Sequence, residues 1–395
     1  MNFERVKYKD MERVSGLSIP SHFKSDFVGS SPAPFIGRYG YPTVNVGILS
    51  PQFVGDVSTF DSPRLWSSCG ETVGSVASKR FSMVNSRTTS GVKEFGSRFV
   101  SVMQEVAMAK VPAELEIHLA SKPALSLKME GDITPFGPQA TVVTANVTSN
   151  VHVDLHVEKA VGDTDLRAQE GVLGLYRKGF EESVLNKVLS VGGLGVGRDR
   201  KLVPTRWSIT AVDDTIGLSL IDSVRTFDVG DFQVYFGGGW GNYYLILMFS
   251  RPWSYELFEM YVTSDVNPWS SFGLKYSTDY EDFFGRKEYA SETAGGYYAC
   301  RLPVLEELNR LQKQCGVIVL RFITSDYTVP LGVWVCREAA RKSLRLGGLR
   351  FASQEEVIVY ALGFIRERFG FDATALLVKS KLLKSAVQKD LRGFM

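Results

Sequence analysis

Apolar residues recur along this chain with two spacings, every second residue and every third or fourth residue. Residues 43–48 alternate between polar and apolar side chains, which predicts a short strand. The apolar residues of segment 92–110 fall on one face at helical spacing, which predicts an amphipathic helix. The same spacings predict strands at 115–119, 141–147, 152–157, 232–236, 243–249, 257–262 and 317–323, and helices that end near residue 178 and cover 180–189, 210–224, 303–314, 337–346, 357–369 and 373–387.

Turn-forming residues indicate how these elements are organised. Proline and glycine are so frequent in residues 1–90 that we expect a loop-rich segment that wraps a core. The apolar, β-branched strand at 317–323 is typical of the centre of a sheet. Helices dominate residues 336–387, and the chain contains no internal repeat. We therefore predict an α+β fold over residues 1–387, a single large compact unit with a mixed central sheet and a helical C-terminal third, followed by a tail at 388–395.

Composition and charge narrow the range of partners. The chain of 395 residues contains 45 Lys and Arg against 43 Asp and Glu, so any basic surface must be local. Its four cysteines form no C-x-x-C pair, which makes a zinc ribbon unlikely and indicates free thiols in a reducing compartment. The longest apolar stretch is far shorter than the roughly 20 residues of a membrane span. We expect a cytoplasmic protein that has no membrane partner.

The segment from Gly192 to Asp214 concentrates glycine, basic and acidic residues. Glycines allow backbone N–H groups to turn toward an anion, and nearby cations and carboxylates suit phosphate-bearing substrates. A P-loop ATPase is disfavoured, because Arg198-Asp199 replaces the Lys-Ser/Thr of that motif. A structural loop with an arginine–carboxylate network is an equally good interpretation. The candidate phosphate ligands are Gly193, Gly195, Gly197, Arg198, Lys201 and Trp207, and the candidate catalytic residues are Arg206, Asp213 and Asp214.

A second candidate site lies on the strand predicted at 152–157. His152, Asp154 and His156 would share one face of that strand, because side chains repeat there every second residue. Such a triple is able to bind zinc. A solvated strand face is the better interpretation, so we expect no metal and no other cofactor.

The helix predicted at 337–346 carries a basic stripe. Residues 337–395 contain twelve Lys or Arg against six Asp or Glu, a local excess of positive charge. The stripe results from i, i+4, i+8 spacing and is a candidate for contact with DNA phosphates, with a solvated helix face as the alternative. Its members are Arg337, Arg341, Lys342 and Arg345.

The last eight residues fit the pattern Gln-x-x-aliphatic-x-x-aromatic. In one helical turn Leu391 and Phe394 would project together, while Gln388 reaches a separate polar pocket. Met395 stands where a second aromatic residue is usual. The tail resembles the peptide by which many DNA-processing proteins dock on the sliding clamp.

Several motifs together resemble the archaeal Nre family of DNA repair proteins over nearly the whole chain. The resemblance implies a role in tolerating DNA damage, with DNA and the archaeal sliding clamp, PCNA, as partners. Some relatives begin with a cysteine-rich zinc module, but this chain has no cysteine before Cys69. The motifs are Gly29-Ser30-Ser31-Pro32, Gly37-Arg38-Tyr39-Gly40-Tyr41-Pro42, the run from Lys201 to Asp214, Gly295-Gly296-Tyr297-Tyr298, and Gly332-Val333-Trp334 with Arg337-Glu338.

Three functional hypotheses follow. The first is a nucleoid-associated DNA repair factor that binds DNA and acts at the clamp. The second is a hydrolase of a glycosidic or ADP-ribosyl bond in DNA, in which Asp213 or Asp214 serves as general base or stabilises an oxocarbenium ion. Its ligand would be a nucleotide or an ADP-ribose-like group. The third is a structural adaptor whose polar loop only braces the fold. Turnover of substrate distinguishes the second from the others.

Overall fold

The fold consists of two compact units, which are described separately. The structure is a computed structural model that describes residues 22–124, 133–262 and 276–385, together with Ser18, Pro20 and the backbone of 128–130. The N-terminal unit contains the described residues up to Ile216 and also Val329–Val333. The C-terminal unit contains Gly217–Thr328 and the residues from Trp334 onward. The predicted α+β class is confirmed. Folding of residues 1–387 as one domain stays a prediction.

The N-terminal unit is built on a six-stranded mixed sheet in the order β1-β5-β8-β4-β3-β2. All neighbouring strands are antiparallel except β4 and β8, which are parallel. The strands are β1 Asp26–Ser31, β2 Ala33–Ile36, β3 Thr43–Ser50, β4 Val84–Gly91, β5 Ala113–Leu119, β6 Lys128–Glu130, β7 Ile133–Phe136 and β8 Gln139–Val147. The helices are α1 Pro63–Ser68, α2 Val73–Phe81, α3 Arg98–Met108, α4 Leu155–Gly162, α5 Ala168–Arg177, α6 Glu182–Ser190 and the first part of α7 Thr205–Val224.

The two faces of this sheet differ in polarity. Val44, Val46 and Ile48 of β3 lie in a core to which Met103 of α3 also contributes. Because strand side chains alternate, Asn45 and Gly47 face the opposite side. On that side the register places Gly47 between Phe35 and Arg87, and it places Asn85 beside Gln139. The second face is therefore partly polar, and the candidate site lies on it.

The C-terminal unit contains a second six-stranded sheet in the order β12-β11-β13-β10-β9-β14. Every residue of β13 is buried, which confirms the strand predicted for a sheet centre. Val357, Ala361 and Ile365 of α10 enter the core of this sheet. The strands are β9 Phe232–Gly239, β10 Asn242–Phe249, β11 Ser254–Tyr261, β12 Tyr276–Glu281, β13 Gly316–Ile323 and β14 Leu349–Phe351; the helices are α8 Gly295–Leu311, α9 Trp334–Arg345, α10 Gln354–Phe369 and α11 Thr374–Leu377.

Several local predictions were wrong, including the helix predicted at 303–314, which begins eight residues earlier as α8 Gly295–Leu311. The segment expected to be loop-rich contains β1, β2, β3, most of β4, and helices α1 and α2. Strand β1, for example, pairs with the distant strand β5, so it does not depend on a long local pattern. The segment predicted as a strand at 152–157 begins α4, where the Asp154 carboxylate caps the helix by accepting a hydrogen bond from the His156 N–H. The last helix, predicted at 373–387, is interrupted after Leu377 and resumes at 381–385.

Candidate nucleic-acid interface

Two segments far apart in sequence meet at the turn between β2 and β3. The Ile36 N–H donates a hydrogen bond of 2.9 Å to the Thr205 hydroxyl, which fastens the end of β2 to the first turn of α7. One consequence is that the rings of Tyr41 and Trp207 contact each other, with centroids 5.2 Å apart and planes tilted by 54°. Tyr39, Tyr41 and Trp207 are 67%, 41% and 44% exposed, and we call them the aromatic face.

A cavity of about 310 Å³ lies on the polar side of the sheet, and we call it the arginine cavity. Among the described residues, its lining includes three arginines and no carboxylate, so its charge favours an anionic ligand. Phe35 and Phe136 supply apolar surface, with ring centroids 4.5 Å apart. The lining residues are Phe35, Ile36, Gly37, Arg38, Tyr39, Asn45, Asn85, Arg87, Ile133, Phe136, Gln139 and Arg206.

The arginine cavity and the aromatic face are continuous. Tyr39 belongs to both, because it lines the cavity and is also exposed to solvent. The Arg38 guanidinium donates a 3.0 Å hydrogen bond to the Tyr39 hydroxyl and lies 4.8 Å from the centre of that ring. Arg206 lines the cavity, and the next residue, Trp207, belongs to the face. The arrangement combines aromatic rings with guanidinium groups, as single-strand binding requires.

Comparison with known proteins decides the family. The family model described as Archaeal Nre, N-terminal, matches residues 8–269, and the model described as Archaeal Nre, C-terminal, matches residues 281–394. The chain belongs to the archaeal Nre family. The Nre resemblance inferred from the motifs is thereby confirmed. No solved structure matches the chain.

Curated relatives of this Nre chain are named as DNA repair proteins. The DNA repair protein NreA of Haloferax volcanii is 38% identical over 79% of this chain and 76% of its own length. The DNA repair protein NreB of Archaeoglobus fulgidus is 36% identical over 94% of this chain and 92% of its own length. The DNA repair protein NreA of the same organism is 33% identical over 84% of this chain and 83% of its own length. Within the described residues, the structure contains no helix with the length and apolarity of a membrane span.

Two of the Nre motifs that are separate in the sequence can be located in the fold. The motif from Gly37 to Pro42 forms the β2–β3 turn, and the run from Lys201 to Asp214 leads into and along α7. Of the residues predicted from that run, Arg206 and Trp207 lie at the interface. Asp213 is buried at 1% exposure and Asp214 is half-buried. These positions give no support to a catalytic carboxylate pair, and the hydrolase hypothesis is not supported.

The glycine loop is braced by its own chain. The Gly193 N–H donates to the Val188 carbonyl at 2.9 Å, and the Gly197 N–H donates to the Thr164 carbonyl at 2.7 Å. The Arg200 guanidinium donates to the carbonyls of Gly195, Val161 and Asp163. These contacts favour the structural loop over a phosphate cradle. Gly195 has φ +120°, which requires glycine there. The side chains of Arg198 and Lys201 are exposed.

The basic stripe is mostly not exposed. Arg337 and Arg341 are buried, at 2% and 5% exposure, because α9 packs against β9 and α8. Arg341 donates to the carboxylates of Glu306 and Glu338. The expectation of a continuous stripe open to phosphates is therefore wrong for these two arginines.

The other two stripe residues are more accessible. The Lys342 ammonium lies 4.1 Å from the centre of the Trp240 ring, and partial burial lowers its pKa. Arg345 is exposed at the end of α9. DNA contact by Lys342 and Arg345 stays a prediction.

Two further sequence candidates have different outcomes. Within the described residues, no group of three or more His, Cys, Asp and Glu side chains is arranged to hold a metal, and Asp154 acts as a helix cap. The residues predicted to bind the clamp, Gln388, Leu391, Phe394 and Met395, lie outside the described residues.

Sequence reasoning missed the polar lining of the arginine cavity. Asn45 occupies a polar position in the alternation of β3, and Asn85 and Arg87 stand two residues apart in β4. Polar residues at period two in a strand are a signal for a polar sheet face. The signal could not be used without knowing that β3, β4 and β8 are neighbours.

Proposed function

We propose that this Nre protein is a DNA repair factor that binds DNA through the aromatic face and the arginine cavity, and that docks on the archaeal sliding clamp through its last eight residues. The DNA repair role rests on the named relatives. The DNA-binding role rests on one observation, the exposed Tyr41–Trp207 ring pair beside a cavity that contains three arginines. Association with the nucleoid follows from both contacts.

Exposed rings next to guanidinium groups suit an unpaired strand. Every nucleobase has a flat apolar face, so stacking on Trp207 or Tyr41 does not depend on sequence. The arginines at the cavity neutralise phosphates and release counterions. The net charge of +2 provides little global attraction to DNA, so binding depends on this local face. Because stacking requires an accessible base, we expect the face to discriminate between unpaired and paired strands.

The DNA contact is tested by replacing Trp207 with Ala. Loss of one base-stacking platform is worth about 1–3 kcal/mol, so we expect single-stranded DNA affinity to fall by about fivefold to 150-fold in fluorescence anisotropy titrations. Val359→Ala is the matched control, since Val359 is also an exposed apolar residue but lies on α10. Equal affinities of Trp207→Ala and wild-type protein would contradict the proposed face.

The contribution of the cavity arginines to DNA binding is tested by measuring affinity at several salt concentrations. Arg87→Gln removes one cavity charge, and the slope of log affinity against log salt concentration is expected to fall by about one counterion. An unchanged slope would show that Arg87 does not contact phosphate.

The clamp contact is tested in the tail. Phe394→Ala removes the aromatic plug of the docking pattern and is expected to abolish clamp binding in calorimetric titrations. Lys389→Ala is the control, because Lys389 lies between the pattern positions. The melting temperature should not change in either variant, since a terminal peptide supports little core. Clamp affinity that survives Phe394→Ala would remove the docking proposal without affecting the DNA-binding one.

A further inference from the structure

Asn85 carries a polar group that the fold leaves unsatisfied. Its side chain is 2% exposed, and its Oδ1 has no hydrogen-bond partner among the described residues. An unsatisfied buried acceptor costs about 1–3 kcal/mol. The backbone reserves space for this group, because a Cβ at Gly47 would lie 2.0 Å from the Asn85 Oδ1. An acceptor that stays unsatisfied at this cost, on a side chain that lines a cavity, is a candidate for binding a ligand.

Two other amides line the same cavity. The register places Gln139 directly beside Asn85 on the neighbouring strand, and Asn45 lies on the same face of β3. Each side-chain amide offers both a donor and an acceptor, which is the combination found along the edge of a nucleobase. Phe35 and Phe136 provide apolar surface in the same wall.

We propose that the arginine cavity takes up a single unpaired nucleobase from a DNA strand and that Asn85 hydrogen-bonds its edge. This inference rests on the proposed function, because the aromatic face and the lining arginines would hold the strand from which the base is extruded. The volume of about 310 Å³ is at the small end of the range of about 300–1,000 Å³ for ligand sites, which fits one base and not a longer segment. An extruded base is also most easily obtained from a mismatched, damaged or unpaired position.

Two duplexes that differ in one group test the proposal. Both carry a single-nucleotide bulge, which is an adenine nucleotide in one duplex and an abasic analogue in the other. Stacking and hydrogen bonding to one base should make the protein bind the adenine bulge at least about tenfold more tightly than the abasic bulge.

Asn85→Leu is the diagnostic variant. It replaces an unsatisfied amide with an apolar group of similar size, so the melting temperature is expected to stay the same or rise. Its affinity for the adenine duplex should fall much more than its affinity for the abasic duplex, so that the preference for the adenine bulge disappears. Gly47→Ala is the second variant, because the added Cβ would displace the Asn85 Oδ1 and should also reduce the preference.

The outcomes separate the two proposals. Equal wild-type affinity for both bulged duplexes, or an undiminished preference in Asn85→Leu, would overturn base capture and leave DNA binding by the aromatic face intact. Failure of the wild type to bind the duplexes while it binds single-stranded DNA would overturn base capture alone, and failure to bind single-stranded DNA as well would overturn the proposed DNA-binding function. Free dAMP serves as the last probe. If it binds alone as tightly as the adenine bulge and displaces it, the ligand is a free nucleotide, and capture from a DNA strand is overturned.

Discussion

At the residue scale, several buried charges in the C-terminal unit are held in ion pairs. Arg301 lies 2.8 Å from the Glu281 carboxylate, and both side chains are almost fully buried. The Arg321 guanidinium donates to the Asn242 Oδ1 at 2.6 and 2.9 Å and also contacts Glu259. Removing one partner of such a pair leaves a charge that water cannot reach.

Arg341 gives the first prediction at this scale. Arg341→Ala leaves Glu338, whose side chain is also buried, without its ion pair, and it should lower the free energy of unfolding by about 3–5 kcal/mol in urea titrations. Arg345→Ala is the matched control on the same helix. Arg345 is exposed, so its replacement should change stability by less than about 0.5 kcal/mol. Similar costs for the two variants would contradict a structural role for Arg341.

His118 gives a prediction about pH. Its Nδ1 lies 2.7 Å from the Asp26 carboxylate across strands β1 and β5, and this hydrogen bond raises the pKa of His118 and contributes to lowering that of Asp26. Because the folded pKa of the histidine is raised, the stabilisation is complete below the unfolded value of about 6.5 and is lost as pH rises through the folded value.

The measurement is an NMR titration of the imidazole protons. Asp26→Asn removes the charge and should lower the His118 pKa toward 6.5. A His118 pKa that does not respond to Asp26→Asn would mean that the pair is not formed in solution.

At the scale of elements, close backbone approaches fix how segments pack. Gly332 has φ +93°, and a Cβ there would lie 2.7 Å from backbone atoms of Ile133 and Thr134 in β7. The segment Val329–Val333 thus packs directly on a strand that lines the arginine cavity. Gly347 has a similar φ of +84°, but no atom lies within 4 Å of its Cβ position.

These two glycines provide a matched comparison. Gly347→Ala should cost about 1–2 kcal/mol, because a side chain disfavours the left-handed region. Gly332→Ala carries the same conformational cost and must also displace backbone, so its urea midpoint should be clearly lower than that of Gly347→Ala. Equal midpoints would show that the 329–333 segment does not pack tightly on β7.

At the scale of the whole molecule, the chain passes between the two compact units more than once. Helix α7 runs through the boundary at Ile216, and Val329–Val333 returns to the N-terminal unit before α9 begins. Continuous helices and returning segments couple the stabilities of the parts they connect. This covalent arrangement supports the prediction that residues 1–387 form one domain.

Cooperative unfolding tests that prediction. Far-ultraviolet ellipticity and tryptophan fluorescence should follow one coincident transition in urea, because partial unfolding of either unit would break α7. Trp66 and Trp207 report on the N-terminal unit, whereas Trp240, Trp253 and Trp334 report on the C-terminal unit. Two separated transitions would show that the units fold independently.

Local patterns of residues are enough to predict the elements whose stability is local. The amphipathic helix α3 follows from its spacing and the buried strand β13 from its β-branched residues. The sequence also determined the family through its motifs. Each of these signals depends on residues within about one helix or strand length of one another.

The remaining features of the fold and of the candidate site depend on tertiary packing. Pairing of β1 with β5, burial of Arg337 and Arg341, and the meeting of the β2–β3 turn with α7 depend on residues tens to hundreds of positions apart. The arginine cavity depends in the same way on the register of β2, β3, β4 and β8. A hydrophobic pattern specifies which face of an element is buried, but not which element covers it, and that choice places the polar side chains.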